Sequence, residues 1–497
     1  MKVLADNPKI SCSPTKRWTF RLLAVVIGLS PFLALEASLR IMGWKPAAPP
    51  ADPFIDFQSV RPLFVPSDDG QSMVTAANRL AFFQSESFAV HKRPNEYRIV
   101  CLGGSTVQGR PYSIETSFTT WLELSLAAAD AGRHWEVINC GGVSYASYRL
   151  IPILNEMLQH EPDLVILCTG HNEFLEDRSY AAIKRLPDFL AQAISGLTRL
   201  RSVQLSHRLV YSHQDAASAA VKKDLLPTEV DTLLDYQGGL VSYHRDLAWK
   251  NSAVRHFEYN LRQLVRVAQS AGIPVILVDP AVNMRDCPPF KIEDSTKISA
   301  TELATCARHI ADAENAIAAS REQAIELFKQ AVAINPQHAG LHYHLGLRCA
   351  ESERFDEARH HLQRAIEEDV CPLRIIERLS QVIRHVSLET NCQLVSVREL
   401  FESLSPGGIP GNNLFVDHVH PTFYGHQLIA ARIVRALQES GIVQLHPEWR
   451  NRRDARYREH WKSLNTIYFE RGRDRLSGLL MWTQGRAKHL HRQSDEE

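Results

Sequence analysis

The stretch Arg98-Ile-Val-Cys-Leu-Gly-Gly-Ser-Thr-Val-Gln-Gly-Arg110 decides the fold class. Its run of β-branched and apolar residues is typical of a buried strand, and Gly103-Gly104 then allow a sharp turn. Because parallel strands deliver functional groups at their carboxyl ends, this turn would present Ser105 at the edge of a sheet. Taken alone, a Gly-Gly-Ser-Thr turn is more often a purely structural loop.

Four more strands are predicted downstream, with helical stretches between them, and they are Trp135–Asn139, Asp163–Cys168, Ile273–Val278 and Cys392–Val397. Strands that alternate with helices favour a parallel sheet covered on both faces. We therefore predict an α/β fold, a three-layer α/β/α arrangement around a five-stranded parallel sheet.

A repeat interrupts this pattern before the fifth strand. Ala324, Phe328 and Ala331 recur 34 positions later as Ala358, Leu362 and Ala365. This period and the small/large/small pattern resemble the tetratricopeptide repeat (TPR), an all-α module. The insert either offers a docking surface to a protein partner or is a pair of helical hairpins that fills space.

The composition excludes several classes of protein. The 497 residues carry 56 Lys+Arg and 56 Asp+Glu, and 44% are hydrophobic, which is the profile of an ordinary globular protein. Wholesale disorder and nucleic-acid binding are therefore not expected. Nine cysteines in a chain of this length are no disulfide scaffold, although Cys287 and Cys306 flank the insert and either pair or remain two thiols.

The N-terminal region has the pattern of a membrane anchor. Leu22–Leu35 is uncharged, and basic residues precede it, among them Lys16, Arg17 and Arg21. By the positive-inside rule we predict a single-pass signal anchor with the catalytic domain extracytoplasmic, which means periplasmic in a Gram-negative bacterium. A cleaved signal peptide and a buried soluble helix are the alternatives.

These observations divide the chain into seven segments. They are a cytoplasmic N-terminus (1–17), the transmembrane anchor (18–41), a Pro/Ala-rich linker (42–60), the first part of the sheet domain (61–285), the TPR-like insert (286–375), the second part of the sheet domain (376–442) and a basic, aromatic C-terminal extension (443–497).

Polar groups that suit a serine hydrolase follow several of the strands. Asp417 and His420 lie three residues apart at a predicted helix start, with Pro421 near the first helical position, so both side chains can face the same way. The carboxylate can then hold the imidazole in the tautomer that a base acting on serine needs. Asn172 and the backbone near Gly142 offer donors for an oxyanion. Metal binding by His418, His420 and His426 is a weaker alternative, because these residues lack the spacing of a zinc helix.

In this chain order, these residues resemble the motifs of the SGNH hydrolases, the GDSL-like lipases and esterases. The motifs are Gly103-Gly104-Ser105 for Gly-Asp-Ser, Gly170-His-Asn-Glu173 for Gly-x-Asn-Asp and Asp417-His-Val-His420 for Asp-x-x-His. Gly104 and Glu173 depart from the family pattern, in which both positions are Asp.

The resemblance implies an SGNH, flavodoxin-like fold and a set of roles. Ser105 would be the nucleophile, His420 the general base and Asp417 its orienting partner. The oxyanion donors would be the Ser105 N–H, the Asn172 side chain and the N–H of Gly142, with Gly141 as the alternative to Gly142. No metal and no cofactor are expected.

The predicted function is ester hydrolysis through an acyl-enzyme. An O-acyl group, such as an O-acetyl group on a glycan, is the expected substrate. A lipase, a thioesterase or an acyltransferase with the same triad is the alternative within the enzymes. A non-catalytic TPR scaffold is the alternative outside them.

Overall fold

The computed structural model of the protein describes residues 14–43, 62–176, 200–202, 205 and 239–483. The chain divides into two compact units. The first consists of Met1–Phe57 with Arg185–Pro227, and the second of Gln58–Lys184 with Thr228–Glu497. Most of the predicted linker 42–60 lies outside the described residues.

The first unit contains helix α1 (Pro14–Ile41). Arg40 Nε lies 2.8 Å from Glu36 Oε1, the ion pair expected at i,i+4 spacing. The other Glu36 oxygen accepts a hydrogen bond from the Ser202 N–H at 2.9 Å. In the described ranges, no helix combines the length and the apolar character that a bilayer crossing needs, so the transmembrane anchor predicted at 18–41 is not supported there.

The second unit begins with a small antiparallel sheet that the sequence analysis did not predict. Its strands are β1 (Phe64–Pro66), β2 (Ser72–Thr75) and β3 (Ser87–Ala89), in the order β1-β2-β3. Strands of three or four residues give too short an alternation to be recognised in a sequence.

The central sheet has the five parallel strands that the sequence predicts. They are β4 (Glu96–Gly103), β5 (His134–Gly141), β6 (Leu164–Cys168), β7 (Val275–Asp279) and β8 (Gln393–Ser396). Their spatial order is β5-β4-β6-β7-β8. Strand β4 therefore lies inside the sheet, and β5 lies at one edge.

Helices cover both faces of this sheet. Within the described part of the second unit, the helices are α2 (Ser105–Gln108), α3 (Phe118–Ala129), α4 (Ser147–Met157), α5 (Leu247–Ser270), α6 (Ala300–Ala316), α7 (Arg321–Ile334), α8 (Ala339–Glu351), α9 (Phe355–Glu368), α10 (Glu377–Thr390), α11 (Val397–Ser403), α12 (Phe423–Glu439), α13 (Trp449–Ser463) and α14 (Thr466–Thr483). Alternate residues of β4 enter two cores. Ile99 and Cys101 pack with α3 and α12, whereas Val100 and Leu102 pack with α4, α5 and α10. The α/β fold with its parallel sheet is confirmed.

Helices α6 to α9 form the insert between β7 and β8. Ala358, Leu362 and Ala365 are fully buried, as the repeat pattern predicts. A Cβ on Gly346 would lie 2.7 Å from Leu362 Cγ, so α8 and α9 approach closely at the predicted Leu-Gly position. Cys287 and Cys306 are both free and buried.

The C-terminal extension packs on the sheet domain through its aromatic side chains. Tyr457 contacts the Trp121 ring at a centroid distance of 4.6 Å. Tyr468 shares a 2.6 Å hydrogen bond between its hydroxyl and Thr116 Oγ1. Helices α13 and α14 therefore cover α3 and the loop that follows the Ser105 turn.

Candidate active site

Ser105 begins helix α2 directly after strand β4. A Cβ on Gly103 would overlap the carbonyl oxygen of Cys168, and a Cβ on Gly104 would lie 2.5 Å from Asn172 Nδ2. Gly103 therefore lies too close to the Cys168 backbone for any side chain, whereas a side chain at position 104 would have to displace the Asn172 carboxamide. The Ser105 side chain is 9% exposed at the carboxyl edge of the sheet.

Asp417 and His420 lie in a tight turn that precedes α12. The turn is closed by a hydrogen bond from Val416 N–H to the His420 carbonyl at 2.9 Å. Helix α12 begins only at Phe423, with Thr422 as its N-cap, so neither residue is helical. The Asp417 Oδ1 atom instead fixes the turn by accepting from the N–H groups of Val419 at 2.9 Å and His420 at 2.8 Å.

The structure brings the three predicted catalytic side chains into contact. His420 Nδ1 lies 2.5 Å from Asp417 Oδ2, and His420 Nε2 lies 2.7 Å from Ser105 Oγ. With Nδ1–H donating to the carboxylate, Nε2 is left as the acceptor for the Ser105 hydroxyl proton. This is the arrangement that activates a serine.

The electrostatics keep the Asp417 carboxylate ionised. Burial would raise the pKa of Asp417, but the His420 and His418 imidazoles and the hydrogen bonds from His420 hold this pKa well below its usual value. Burial lowers the pKa of His418 to about 4 and that of His171 to about 3. Those two neighbours of His420 are therefore uncharged at neutral pH.

For the oxyanion donors, the structure differs from the prediction at Gly141 and Gly142, at the end of β5. The Gly142 N–H donates to the Gly103 carbonyl at 3.0 Å, and the Gly141 N–H donates to Asn139 Oδ1 at 2.9 Å. Both amide hydrogens are thus already used within the protein. Neither glycine is available for the predicted donor role in this arrangement, because each would first have to break a hydrogen bond.

The other two predicted donors lie at the site. Asn172 Nδ2 donates to the Tyr145 carbonyl at 3.0 Å, which uses one of its two hydrogens. Its place beside Gly104 brings the second hydrogen close to the nucleophile turn. The Ser105 N–H forms no hydrogen bond to any described residue, as expected for the first residue of a helix.

Glu173, which departs from the family motif next to Asn172, forms hydrogen bonds to the first residue of helix α4. Its carboxylate accepts from the Ser147 N–H at 2.9 Å and from the Ser147 hydroxyl at 2.8 Å. Because Ser147 is the first residue of α4, the carboxylate satisfies a free N–H at this helix start. Glu173 therefore fixes α4 beside the site.

A metal could be held by one local group of side chains. Donor atoms of Asp417, His418 and His420 lie within 4.8 Å of one another. A cation there would compete with the Asp417–His420 and His420–Ser105 contacts. His426 accepts from the Phe118 N–H through Nδ1 at 3.2 Å, so that contact ties it to the start of α3.

Sequence reasoning missed Asn283, which supports the Asp417 turn from outside. Asn283 Nδ2 donates to the Asp417 carbonyl at 2.9 Å, and its N–H donates to the His418 carbonyl at 3.0 Å. Asn283 is 1% exposed. Its place four residues after the carboxyl end of β7 was the available signal, since this edge collects the functional groups of the sheet.

Comparisons with known proteins give matches of two kinds. The tetratricopeptide repeat family model matches residues 318–370, while a sequence comparison with curated proteins gives no match. Among solved structures, a lipase/acylhydrolase from Enterococcus faecalis is 13% identical and covers 70% of this chain and 98% of its own, with a TM-score of 0.32. A putative lipolytic protein of the G-D-S-L family from Desulfitobacterium hafniense is 11% identical, with coverages of 68% and 99% and a TM-score of 0.31.

An acetylxylan esterase from Geobacillus stearothermophilus is also similar. It is 13% identical, and the match covers 69% of this chain and 94% of that enzyme, with a TM-score of 0.30. The chain thus matches GDSL-family and acetylxylan esterase structures over about 70% of its length, and residues 318–370 contain the predicted tetratricopeptide repeat.

Proposed function

We propose that this protein is a serine esterase of the SGNH type. The single observation that carries the proposal is the continuous contact from Ser105 Oγ through the His420 imidazole to Asp417, with distances of 2.7 and 2.5 Å. A serine is a weak nucleophile without such a base. The buried, ionised Asp417 favours the imidazolium that forms when His420 accepts a proton.

The first half of the reaction acylates the enzyme. Ser105 Oγ attacks the ester carbonyl carbon as its proton moves to His420 Nε2. The carbonyl π electrons pass to oxygen, and the Ser105 N–H and the second Asn172 Nδ2 hydrogen donate to this oxyanion. The tetrahedral adduct then collapses, the bond to the alcohol oxygen breaks, and His420 returns its proton to the leaving alcohol.

The second half releases the acyl group. Water attacks the acyl-enzyme carbonyl and gives a proton to His420 Nε2. Collapse of the second adduct breaks the bond to Ser105 Oγ, which takes the proton back from His420, and the carboxylic acid leaves. His420 therefore acts as base and then as acid in each half, while the nucleophile is Ser105 in the first half and water in the second.

We propose an O-acyl ester, such as a glycan acetate, as the substrate class. The acetylxylan esterase among the structural matches acts on this kind of ester.

We also propose that the protein lies outside the cytoplasm. This location depends on the basic residues before Leu22–Leu35 in the sequence. The insert would then dock a protein partner on the same side of the membrane.

A fluorophosphonate probe, which labels only activated serines, tests the proposal on the full chain. We expect the wild type to be labelled, Ser105→Ala to stay unlabelled and His420→Ala to react much more slowly. A matched control is Ser125→Ala, which removes a buried serine hydroxyl of α3. The Ser125 hydroxyl shares a hydrogen bond with the Tyr457 hydroxyl. A folded wild type that is never labelled, or a Ser105→Ala variant that still is, contradicts the proposal.

A further inference from the structure

A cleft separate from the triad lies where the insert meets the sheet domain. Its volume is about 180 Å³, slightly above the roughly 150 Å³ of an engineered cavity that binds benzene. It is lined by residues 244–247, 249 and 250 before and within α5, residues 337 and 364 of the insert, and residues 367–370, 372 and 378 at and after the exit from the insert. None of the triad residues lines this cleft.

The acidic side chains of the cleft already have partners. Glu368 pairs with Arg245 and Arg364, Asp369 accepts from the N–H groups of Phe290 and Lys291, Glu367 accepts from the Glu377 N–H, and Asp246 accepts from the Trp249 N–H. Each of them therefore has a hydrogen-bond or ion-pair partner in the protein, and Glu368 and Asp369 also lie within 4.0 Å of a cation.

Two cations of the cleft donate their hydrogen bonds to uncharged oxygens. Lys250 Nζ donates to the Glu367 carbonyl, and Arg378 Nη1 donates to the Asn251 side-chain oxygen at 2.7 Å. Neither forms an ion pair with a described residue. In addition, Arg245 Nε is buried and has no hydrogen-bond partner in the described part of the chain. Only 9% of the Arg245 side chain is exposed. Burial lowers the pKa of Lys250, while the nearby carboxylates of Glu367, Glu368 and Asp369 act in the opposite direction.

A chain of buried contacts leads from the cleft to the triad. Asp369, at the cleft, lies 3.7 Å from Arg374. Arg374 Nη1 donates to the Asn283 carbonyl at 2.9 Å, and Asn283 Nδ2 donates to the Asp417 carbonyl at 2.9 Å. Arg374 is 1% exposed. Because its side chain is packed on all sides, a shift of the segment that carries it would also move Asn283.

We propose that this cleft is a second binding site, which takes a carboxylate through Lys250 and Arg378 and changes the rate of ester hydrolysis when it is occupied. The carboxylate belongs either to a small free molecule or to the carboxyl terminus of a peptide. A carboxylate would give Lys250 and Arg378 charge-assisted hydrogen bonds, which are stronger than those to the uncharged oxygens that they contact in this structure. The bound anion would also contact the segment that contains Arg374. Arg374 contacts Asn283, and Asn283 contacts the Asp417 turn.

Calorimetric titration of the full chain tests the binding. The probes are succinate and its neutral diamide, and triglycine with a free or an amidated carboxyl terminus, which together distinguish the two sources. We expect at least one free carboxylate to bind and its neutral counterpart not to bind. Arg378→Gln should raise the Kd about tenfold or more, because a charge-assisted hydrogen bond is lost.

The matched control is Arg266→Gln, which removes a cation of α5 that does not line the cleft. Lys250→Met is the second variant, in case Arg378→Gln fails to fold by circular dichroism. If neither carboxylate binds, or if binding survives both cleft substitutions in folded proteins, the site is refuted.

The rate is tested with 4-nitrophenyl acetate at saturating ligand. Couplings between sites are typically about fivefold or larger, so we expect a change in kcat of that size, which Asn283→Ala reduces. An unchanged kcat on a ligand-saturated enzyme refutes the regulatory part. A protein that binds the carboxylate but hydrolyses no ester contradicts the proposed function and leaves the binding site supported.

Discussion

The carboxyl edge of the sheet and its edge strand β5 both keep carboxylates away from water, yet the pKa shifts there are opposite. At the carboxyl edge, the pKa of Asp417 lies well below its usual value. Along β5, burial raises the pKa of Glu86 and of Glu123 to about 7. Burial is the largest influence in all three cases, so burial alone does not explain the difference.

The partners of each carboxylate explain it. Asp417 accepts from two backbone N–H groups and from the His420 ring, and its titratable neighbours are imidazoles. Glu123 accepts from the Val137 N–H at 2.9 Å and has Glu136 as its charged neighbour. Thus Asp417 can stabilise a cation, while Glu123 satisfies an N–H that an edge strand would otherwise expose.

The largest expected effect comes from Asp417→Asn, which removes the charge and keeps the shape. An amide no longer favours the tautomer in which His420 Nδ1 donates, and it cannot stabilise the imidazolium. We expect kcat for 4-nitrophenyl acetate to fall about 10⁴-fold, as in the equivalent change of a serine protease.

Glu123→Gln is the control for this prediction, since it neutralises the carboxylate of the other region and should retain the wild-type kcat. A full-rate Asp417→Asn enzyme would show that the two carboxylates do not differ in the way that the pKa shifts indicate.

A smaller effect is expected from Gly104→Ala, which tests geometry at the carboxyl edge without changing any charge. The added Cβ would lie 2.5 Å from Asn172 Nδ2, so the carboxamide must rotate away from the oxyanion position. We expect kcat to fall about 10- to 100-fold, less than the roughly 10²- to 10³-fold loss of a complete oxyanion donor.

The double variant with Asn172→Ala sharpens this test. If Gly104→Ala acts through Asn172, the two losses in kcat are strongly non-additive. Full additivity would assign the effect of Gly104→Ala to the Ser105 turn itself. Comparison of melting temperatures separates either result from a loss of folding.

Much of the fold follows from local patterns in the sequence. Each of the five sheet strands contains a compact β-branched run, and each begins and ends within three residues of its prediction. The repeat was visible because its period is fixed at 34 residues. The contact of Ser105 with His420 joins positions 315 apart, but both follow strands of one parallel sheet, whose carboxyl ends meet at one edge.

What the sequence could not predict depends on register and on long-range competition for hydrogen bonds. Gly142 fits the family motif, but the register of the sheet decides where its N–H points. Strands β4 and β5 pair Gly103 with Gly141, so the N–H of Gly142 donates to the Gly103 carbonyl. Asn283 contacts Asp417 across 134 positions and belongs to no recognised motif. Glu123 and Val137 likewise meet only because α3 packs against β5.

The smallest expected effect concerns stability along β5. The pKa of Glu123 rises from 4.5 in the unfolded chain to about 7 in the folded one. Between these values the folded state binds more protons, so its stability falls as the pH rises through this window. Glu123→Gln has no proton to lose and keeps an oxygen for the Val137 N–H. We therefore expect the variant to exceed the wild type by about 1–3 kcal/mol at pH 8 and to match it near pH 4.

Urea unfolding at the two pH values measures this difference, with Glu459→Gln on the exposed face of α13 as the control for a loss of charge alone. An equal gap at both pH values would assign the effect to packing, because only titration makes the gap depend on pH. A variant less stable than the wild type at pH 8 would mean that the Glu123 charge is stabilised in the fold. Glu123 would then resemble Asp417, and the contrast between the two regions would be lost.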